Sequence, residues 1–255
     1  MDAGLRCAEL YDLAVTLKED IPLYVDILSG TSGGVAEVGC GTGRITIPLA
    51  RSGLHVFATD ISEGMIQVAT RKLVKEARCV QSRVCFIVAD MAELDAAPVV
   101  DAILAPYNVL KYKTSPVEQI AFLKTCRSTL PPAGRLVLHC DVDSFDPAAL
   151  LNKRVCTFED RTDPVTGNRV SSFHTVTGWD VGTQVVTATV EYVETVGPKT
   201  TATWRRTAAM RLLANVREVL HLVAAAGLKV TDAWGHFDRT PLTDDARKVI
   251  LVAAR

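Results

Sequence analysis

The stretch VAEVGCGTGRITIPLA, residues 35–50, places glycines at positions 39, 41 and 43, after an apolar run and before a helical pattern. Glycine inside a regular element costs about 0.5–1 kcal/mol relative to alanine, so such a cluster needs a structural reason. The usual reason is that a ligand approaches the backbone closely. In open parallel sheets ligands bind at the carboxyl ends of strands, so the stretch predicts a binding loop between a first strand and a first helix.

Strand and helix patterns alternate through most of the chain. Runs rich in Val and Ile alternate with amphipathic helical spacings from residue 35 to about 141, and a helix at 215–227 then precedes further β-rich runs. This alternation predicts a doubly wound, Rossmann-like α/β fold with a mostly parallel seven-stranded sheet and helices on both faces. The predicted strands of this sheet are 35–39, 55–59, 83–89, 99–105, 134–140, 228–234 and 247–254.

Residues 152–212 follow a different pattern. Polar and apolar residues alternate with period two at 169–179, 184–195 and 200–213, and turn signals occur at 163–168 and 179–183. Such alternation predicts an antiparallel sheet with one covered face. The predicted organisation is therefore a core of residues 1–151 and 213–255, in which 1–34 form an N-terminal helical cover, with an antiparallel β insertion at 152–212.

Composition limits the possible partners and compartment. The 255 residues are 48% hydrophobic and carry a net charge of −1, so no overall field favours nucleic acid or a membrane surface. Seven cysteines without a C-x-x-C pair predict reduced thiols and no metal site. The first fifteen residues include four charged side chains, so no signal peptide is visible, and no apolar run has the length of a membrane span. We therefore expect a cytoplasmic protein without a nucleic-acid or membrane partner.

The spacing of the glycines argues against a dinucleotide. The dinucleotide fingerprint G-x-G-x-x-G needs its third glycine at position 44, where the chain has arginine. The motif E-x-G-x-G-x-G from Glu37 to Gly43 instead resembles the first motif of class I S-adenosylmethionine (SAM)-dependent methyltransferases. The other motifs of that family follow in order, in Asp60 at the end of HVFATD and in the segments VADMAEL (88–94), DAILAPYNVLKY (101–112) and PPAGRLVLHC (131–140).

The resemblance implies SAM as cofactor and assigns residues to it. Asp60 would accept hydrogen bonds from the ribose hydroxyls, for which an acceptor-only carboxylate is suited. Asp90 would accept from the adenine amino group, and Met91 would supply a backbone amide. The full cofactor set implied by the resemblance is Tyr11, Glu37, Gly39, Cys40, Gly41, Gly43, Asp60, Ile61, Met65, Asp90, Met91 and Ala105.

The segment ahead of the glycine loop and the β-rich insertion resemble the small-molecule N- and O-methyltransferases, many of which act in secondary metabolism. That group uses the insertion to shape the acceptor pocket, which implies a small-molecule acceptor. At the ends of the fourth and fifth strands we expect His139, Asp141 and Tyr107 as catalytic candidates. Asn108, Arg206 and Tyr24 are the substrate-binding candidates, although a rim histidine or asparagine is often purely structural.

Arg206 is placed by alternation on the covered face of the segment TATWRRTAAMRLL (201–213), beside Trp204. A charge on a covered face needs a partner. That partner is either internal, with Glu194 or Glu159 as candidates, or an acidic group on the acceptor. His174 and His236 lie in segments whose fold the sequence does not specify, so they are weaker candidates.

Two other functions remain open at this level. A nicotinamide-dependent reductase would also use a Rossmann-like sheet, although Arg44 replaces the third glycine. A SAM-binding scaffold without turnover would keep the same cofactor motifs. The chain is expected to be a monomer or a homodimer.

Overall fold

The computed structural model describes residues 3–91, 93–94 and 100–255. Three positions used in the sequence predictions lie outside the described residues. They are Asp2 in the charged N-terminal segment, Ala92 in the segment 88–94 and Val99 at the start of a predicted strand.

The strands form two separate sheets. Those of the first sheet are β1 (Val35–Val38), β2 (Val56–Asp60), β3 (Val84–Val88), β4 (Ala102–Ala105), β5 (Arg135–Asp141), β10 (Lys229–Trp234) and β11 (Lys248–Ala254). Those of the second are β6 (Arg154–Thr162), β7 (Arg169–Asp180), β8 (Val185–Val196) and β9 (Lys199–Arg211).

In the described part of the chain, the first sheet has seven strands in the order β10-β11-β5-β4-β1-β2-β3. Strands β1 to β5 pair in parallel, and β11 is antiparallel to both of its neighbours. The strand order reverses beside β1, so the carboxyl ends of β1 and β4 flank the place where ligands bind in such sheets. The predicted fold class is confirmed.

Helices cover both faces of this sheet. They are α1 (Ala3–Ala14), α2 (Ile21–Leu28), α3 (Thr46–Arg51), α4 (Glu63–Leu73), α5 (Arg78–Gln81), α6 (Pro116–Thr129), α7 (Pro147–Leu150) and α8 (Val216–Ala225), with a 3₁₀ turn at Val109–Tyr112. Ser62 is the N-cap of α4 and accepts from the Met65 amide. Two helices follow one another here, because α4 ends at Leu73 and α5 begins at Arg78.

The second sheet is an antiparallel meander in the order β6-β7-β8-β9, and it lies within the predicted insertion 152–212. One of its faces is covered, because Tyr192 on β8 and Trp204 on β9 pack in one apolar cluster with Cys7 and Leu10 of α1. The alternation of residues along these strands predicted this one-sided burial.

Arg6 of α1 joins the helix to the meander. Its guanidinium is 2% exposed and binds Glu194 Oε1 on β8 at 2.8 Å, Asp163 Oδ2 in the β6–β7 turn at 2.5 Å and Glu9 Oε2 at 3.1 Å. Glu194 also accepts from the indole N–H of Trp204 at 2.7 Å. This cluster, which we call the Arg6 cluster, anchors the hairpin end of the meander to α1.

Arg211 anchors the other end of the meander. Its guanidinium donates to Gln119 Oε1 on α6 at 3.0 Å and to Gln184 Oε1 at 2.5 Å, and it pairs with Glu218 on α8. The meander is therefore fixed to the core at both ends of its strands.

We predict that Arg6→Met lowers the free energy of unfolding by about 3–5 kcal/mol, because Asp163 and Glu194 would stay buried without their cation. Urea denaturation measures the change. Arg169→Met is the matched control in the same sheet, since Arg169 pairs with Asp160 on the surface. It should leave the unfolding midpoint almost unchanged. Equal effects of the two substitutions would contradict an anchoring role for the Arg6 cluster.

Candidate active site

The glycine loop follows β1, and Tyr11 of α1 lies above its centre. Gly39, Gly41 and Gly43 have φ values of +66°, +55° and +77°, a region that side-chain-bearing residues rarely adopt. A Cβ at Gly39 would lie 2.4 Å from Val109 Cγ2, so only glycine allows the 3₁₀ turn to pack there. At Gly41 the nearest atom to such a Cβ is Tyr11 Cε1 at 4.0 Å. The predicted loop and the Tyr11 ring are therefore within van der Waals distance of each other, and we call the region that they border the gap.

Asp60 ends β2 beside this loop. Its Oδ2 accepts from the Gly41 amide at 2.9 Å and its Oδ1 from the Ser62 amide at 2.8 Å. A carboxylate has about four acceptor positions, so two remain for hydroxyl groups of a ligand. Ile61 follows directly and its side chain is 72% exposed, which leaves an apolar surface at the edge of the same gap.

Glu37 lies at the end of β1 and is buried. Its Oε2 accepts from the Thr46 hydroxyl at 2.6 Å. Burial raises the pKa of Glu37 to about 8, against the opposing effect of the Thr46 hydrogen bond. The carboxyl is therefore mostly protonated at neutral pH, and a cationic group placed near it would favour its ionisation.

The residues after β3 form the far end of the gap. Asp90 Oδ1 lies 2.8 Å from Lys113 Nζ, a cation that the sequence reasoning missed although KYK at 111–113 follows the fourth-strand motif. Met91 is half-buried against the central core, and Ala105 is buried at the end of β4.

Two further cofactor candidates have buried side chains. Met65 is buried against Ala8 of α1, where it packs the two helices together. Burial raises the pKa of the Cys40 thiol well above its usual value, so the residue has neither the exposure nor the ionisation of a nucleophile. Met65 therefore packs two helices together, and its contact with the cofactor stays a prediction.

Tyr107 and Asn108 follow β4 in a strained turn. Their φ values are +47° and +69°, which is uncommon for residues other than glycine. The Asn108 side chain holds the turn, since its Nδ2 donates to Asp141 Oδ2 at 2.6 Å and its Oδ1 accepts from the Asp141 amide at 2.7 Å. Both polar atoms of Asn108 are thus used inside the protein. Asn108 therefore positions Tyr107, and its contact with the substrate stays a prediction.

Tyr107 faces open space on the side of the chain segment after α1. It lines a cavity of about 430 Å³ together with residues 14–19. The guanidinium of Arg44 lies 5.4 Å from the centre of the Tyr107 ring and pairs with the buried Asp20 at 2.7 Å and 2.8 Å. Arg44, which replaces the third glycine of the dinucleotide fingerprint, therefore links the segment after α1 to the glycine loop.

His139 is fully buried at the end of β5. Its Nδ1 accepts from the Tyr107 amide at 3.2 Å, which assigns the proton to Nε2, 3.3 Å from Asp141 Oδ1. The Phe237 ring packs edge-on against the imidazole at 4.9 Å. Both ring nitrogens are occupied and solvent is excluded, so the expectation of His139 as a direct proton acceptor is corrected to a role in positioning.

Asp141 is surrounded by donors. Burial would raise the pKa of its carboxyl, but hydrogen bonds from His139, Asn108 and Lys248 outweigh that effect and hold the pKa well below its usual range. Lys248 Nζ lies 2.9 Å from Asp141 Oδ1. Asp141 is therefore a weak base that fixes the β4–β5 rim.

Tyr24 is also fully buried, with its ring edge-on to Phe237 at 6.3 Å. It lies beneath the rim and is not open to a substrate, so its predicted substrate contact is corrected. Arg206 is exposed, and its Nη2 lies 3.4 Å from the hydroxyl of Tyr112 in the 3₁₀ turn. Among the described residues it pairs with neither of its expected glutamates, since Glu194 belongs to the Arg6 cluster.

Comparisons with known proteins find similar methyltransferases. Residues 35–134 match the family described as Methyltransferase domain. The cypemycin N-terminal methyltransferase of Streptomyces sp. is 26% identical over 231 residues, which cover 87% of this chain and 82% of the relative. The magnesium-protoporphyrin O-methyltransferase of Rhodobacter capsulatus is 36% identical over 86 residues, which cover 34% of this chain and 37% of the relative.

Solved structures match over nearly the whole chain. The CcbJ methyltransferase of Streptomyces caelestis superposes with a TM-score of 0.75 at 20% identity and covers 95% of this chain and 97% of that one. SAM-bound CalS10, an amino pentose methyltransferase of Micromonospora echinaspora, superposes with a TM-score of 0.67 at 15% identity, with coverages of 97% and 96%.

The sheet order, the glycine loop and the matched domain together define a Rossmann-like transferase. Residues 35–134 are a methyltransferase domain, and the chain is a SAM-dependent methyltransferase with SAM as its cofactor. The matched domain is that of a methyltransferase and not of a nicotinamide-dependent reductase. Within the described ranges, no helix is long and apolar enough to cross a membrane. Those ranges also contain no group of three or more metal-ligating side chains.

We predict that Glu37→Gln changes how stability depends on pH. Glu37 ionises near pH 4.5 when unfolded and near pH 8 in the folded protein, so between these values the folded state holds an extra proton. Stability from this group is therefore present below pH 4.5 and is lost as the pH rises towards 8, by up to about 1.4 kcal/mol per pH unit. The variant should lack this loss.

Urea denaturation of the cofactor-free protein between pH 5 and pH 9 measures the difference between the two curves. The control is Glu19→Gln on the exposed surface, whose curve should run parallel to that of the wild type. Parallel curves for wild type and Glu37→Gln would show that the buried carboxyl ionises at its ordinary pH.

Proposed function

We propose that this enzyme methylates a nitrogen atom of a small molecule in secondary-metabolite biosynthesis. The supporting observation is the extent of the matches. Proteins matched over more than 90% of this chain, meander included, are described as a sugar N-methyltransferase, an amino pentose methyltransferase and a glycopeptide N-methyltransferase. The O-methyltransferases that match cover less of this chain, from 24% to 79%.

The cofactor supplies the chemistry, because its sulfonium carries a reactive methyl group, and the protein supplies placement. In this proposal Asp60 binds the ribose hydroxyls with its free acceptor positions. Ile61, Asp90 and Met91 bound the adenine, and the loop at Gly39 and Gly41 passes beneath the methionine portion. Tyr11 closes the gap from above and excludes water.

The acceptor occupies the cleft between the meander and the core. Tyr107 forms part of the core side, and residues 152–212 shape the opposite wall. Arg206 extends from β9 towards Tyr112 and has no carboxylate partner among the described residues. We assign it to an anionic group of the acceptor, because a guanidinium binds carboxylate or phosphate through two parallel hydrogen bonds. The enzyme acts as a cytoplasmic monomer or homodimer, without nucleic acid.

A turnover screen with methyl-labelled SAM tests this function. The acceptors are three amines, namely glucosamine, glucosamine 6-phosphate and trialanine, and one hydroxy-aromatic, catechol. Label in at least one amine product is expected. Label in catechol alone would contradict nitrogen methylation and leave the cofactor assignment intact.

We predict that Asp60→Ala weakens SAM binding by about 1–3 kcal/mol, because the ribose hydroxyls lose their acceptor. Isothermal calorimetry measures the dissociation constant, and circular dichroism checks the fold. Asp232→Ala on the exposed edge strand β10 is the control and should bind SAM like the wild type. Unchanged affinity in Asp60→Ala would place the ribose elsewhere.

A second substitution tests the anion site. We predict that Arg206→Gln raises KM for glucosamine 6-phosphate at least about tenfold, because the loss of one charge-assisted hydrogen bond has roughly this effect. The KM for glucosamine, which has no phosphate, should change little. Arg205→Gln is the matched control, since Arg205 is the adjacent residue of β9 and pairs with Glu191 instead. Equal KM changes for both sugars would show that Arg206 does not contact the phosphate.

A further inference from the structure

His174 lies in a row of residues that crosses the meander. On β7 it is paired with Val155 of β6 and with Val190 of β8, and Val190 is paired in turn with Arg206 of β9. Directly opposed residues of antiparallel strands share one face of the sheet. Val190 packs against the apolar cluster that contains Cys7 of α1, so this is the face turned towards α1 and the core.

The row crosses the meander from β6 to β9 on its core-facing side. Neighbouring strands lie about 4.8 Å apart, so the backbones at His174 and Arg206 are separated by about 10 Å. Arg206 at one end contacts Tyr112 of the core. The distance between the two side chains suits an acceptor the size of one sugar ring or amino acid, with its anionic group at Arg206.

The imidazole of His174 is free. It is exposed, and among the described residues it has no hydrogen-bond or ion-pair partner. Nearby protein atoms nevertheless desolvate the imidazole in part, and this desolvation lowers the pKa of His174. Exposure combined with desolvation is expected for a side chain on the wall of a cleft.

The charged and titratable groups on or near this face come from four elements. They are Arg206 on β9, Tyr192 and Glu194 on β8, Arg6, Cys7, Tyr11 and Asp12 on α1, and Tyr112 in the 3₁₀ turn, and Glu194 is paired with Arg6. Glu191 of β8 lies on the opposite face, where it pairs with Arg154 and Arg205. No carboxylate on the core-facing row itself therefore stabilises a charged imidazole, in the part of the chain that the structure describes.

The other groups near the methyl-transfer site are poor proton acceptors. His139 is buried with both nitrogens occupied, and the pKa of Asp141 is held low. Burial raises the pKa of both Tyr11 and Tyr107, so these phenols stay protonated. A neutral imidazole has a lone pair at the pH at which amines are protonated, which is what a general base requires.

We propose that His174 is the general base of the reaction and receives the proton of the acceptor amine, a proposal that rests on nitrogen methylation as the function. The amine enters as an ammonium ion, whose nitrogen has no lone pair. One proton passes from that nitrogen to the free nitrogen of the imidazole, which leaves a neutral amine able to attack and an imidazolium. The imidazolium then releases the proton to water.

The test compares His174→Ala with the wild type on whichever of glucosamine, glucosamine 6-phosphate and trialanine is turned over fastest. We expect kcat to fall about 10²-fold at pH 7, with the affinity for SAM unchanged. Imidazole added to the buffer should restore part of the lost rate. The acid limb of the pH–rate profile should move from the histidine range to the higher pKa of the amine itself. His221→Ala, on the exposed face of α8, is the control.

A wild-type rate in His174→Ala would overturn the proposal, and so would a loss that imidazole does not restore. An NMR titration adds a readout that needs no acceptor. In protein with ¹³C-labelled histidine and bound S-adenosylhomocysteine, the signal missing from His174→Asn should titrate below about pH 6.5. Titration above that value would also overturn the proposal. Failure of the wild type to methylate any amine contradicts the proposed function itself, which distinguishes the two failures.

Discussion

The guanidinium of Arg6 is the contact on which the arrangement of this enzyme depends. Three carboxylates from α1, the β6–β7 turn and β8 surround it in a site closed to water. The same helix reaches the core, since Asp12 accepts from the Thr42 hydroxyl at 2.6 Å and Tyr11 faces Gly41. Separating α1 from the meander would break the buried ion pairs of Arg6, which is costly. The helix that covers the glycine loop is therefore held against the meander. Helix α1 and the meander are thus one unit, which joins the proposed cover of the cofactor to the proposed wall of the acceptor cleft.

The β4–β5 rim shows how the core uses its polar residues. Two successive left-handed residues, Tyr107 and Asn108, are held by hydrogen bonds to His139 and Asp141. Residues that satisfy one another in this way lose the free lone pairs that a general base needs. What they provide is rigidity, which matters for a displacement in which placement of the reactants supplies much of the rate. The rim therefore positions Tyr107.

Much of the fold could be predicted because its signals are local. Residue spacings of period two and of the helical period predicted both sheets. The order of the motifs predicted that Asp60 lies beside the glycine loop, where it accepts from the Gly41 amide. Strand β6 was missed because its residues are mostly exposed and two register shifts interrupt its pairing. The burial of His139 depends on Phe237, nearly a hundred residues later. Glu194 was unavailable to Arg206 because Arg6, 188 residues away in sequence, already binds it. Such contacts leave no short-range pattern.

The anchoring of the meander explains why acceptor chemistry can reside on an insertion. The Arg6 cluster holds one end of the sheet and Arg211 holds the other, where it binds Gln119 on α6 and Glu218 on α8. The row of His174, Val190 and Arg206 lies between these anchors. Because the anchors hold the sheet in place, the side chains of this row need not pack against the core, and His174 keeps an unpaired imidazole. Because antiparallel pairing fixes the register, a substitution at one position of the row changes one contact with the acceptor and leaves the others in place. The cofactor loop lies outside this row, so acceptor specificity can change while the cofactor site stays constant.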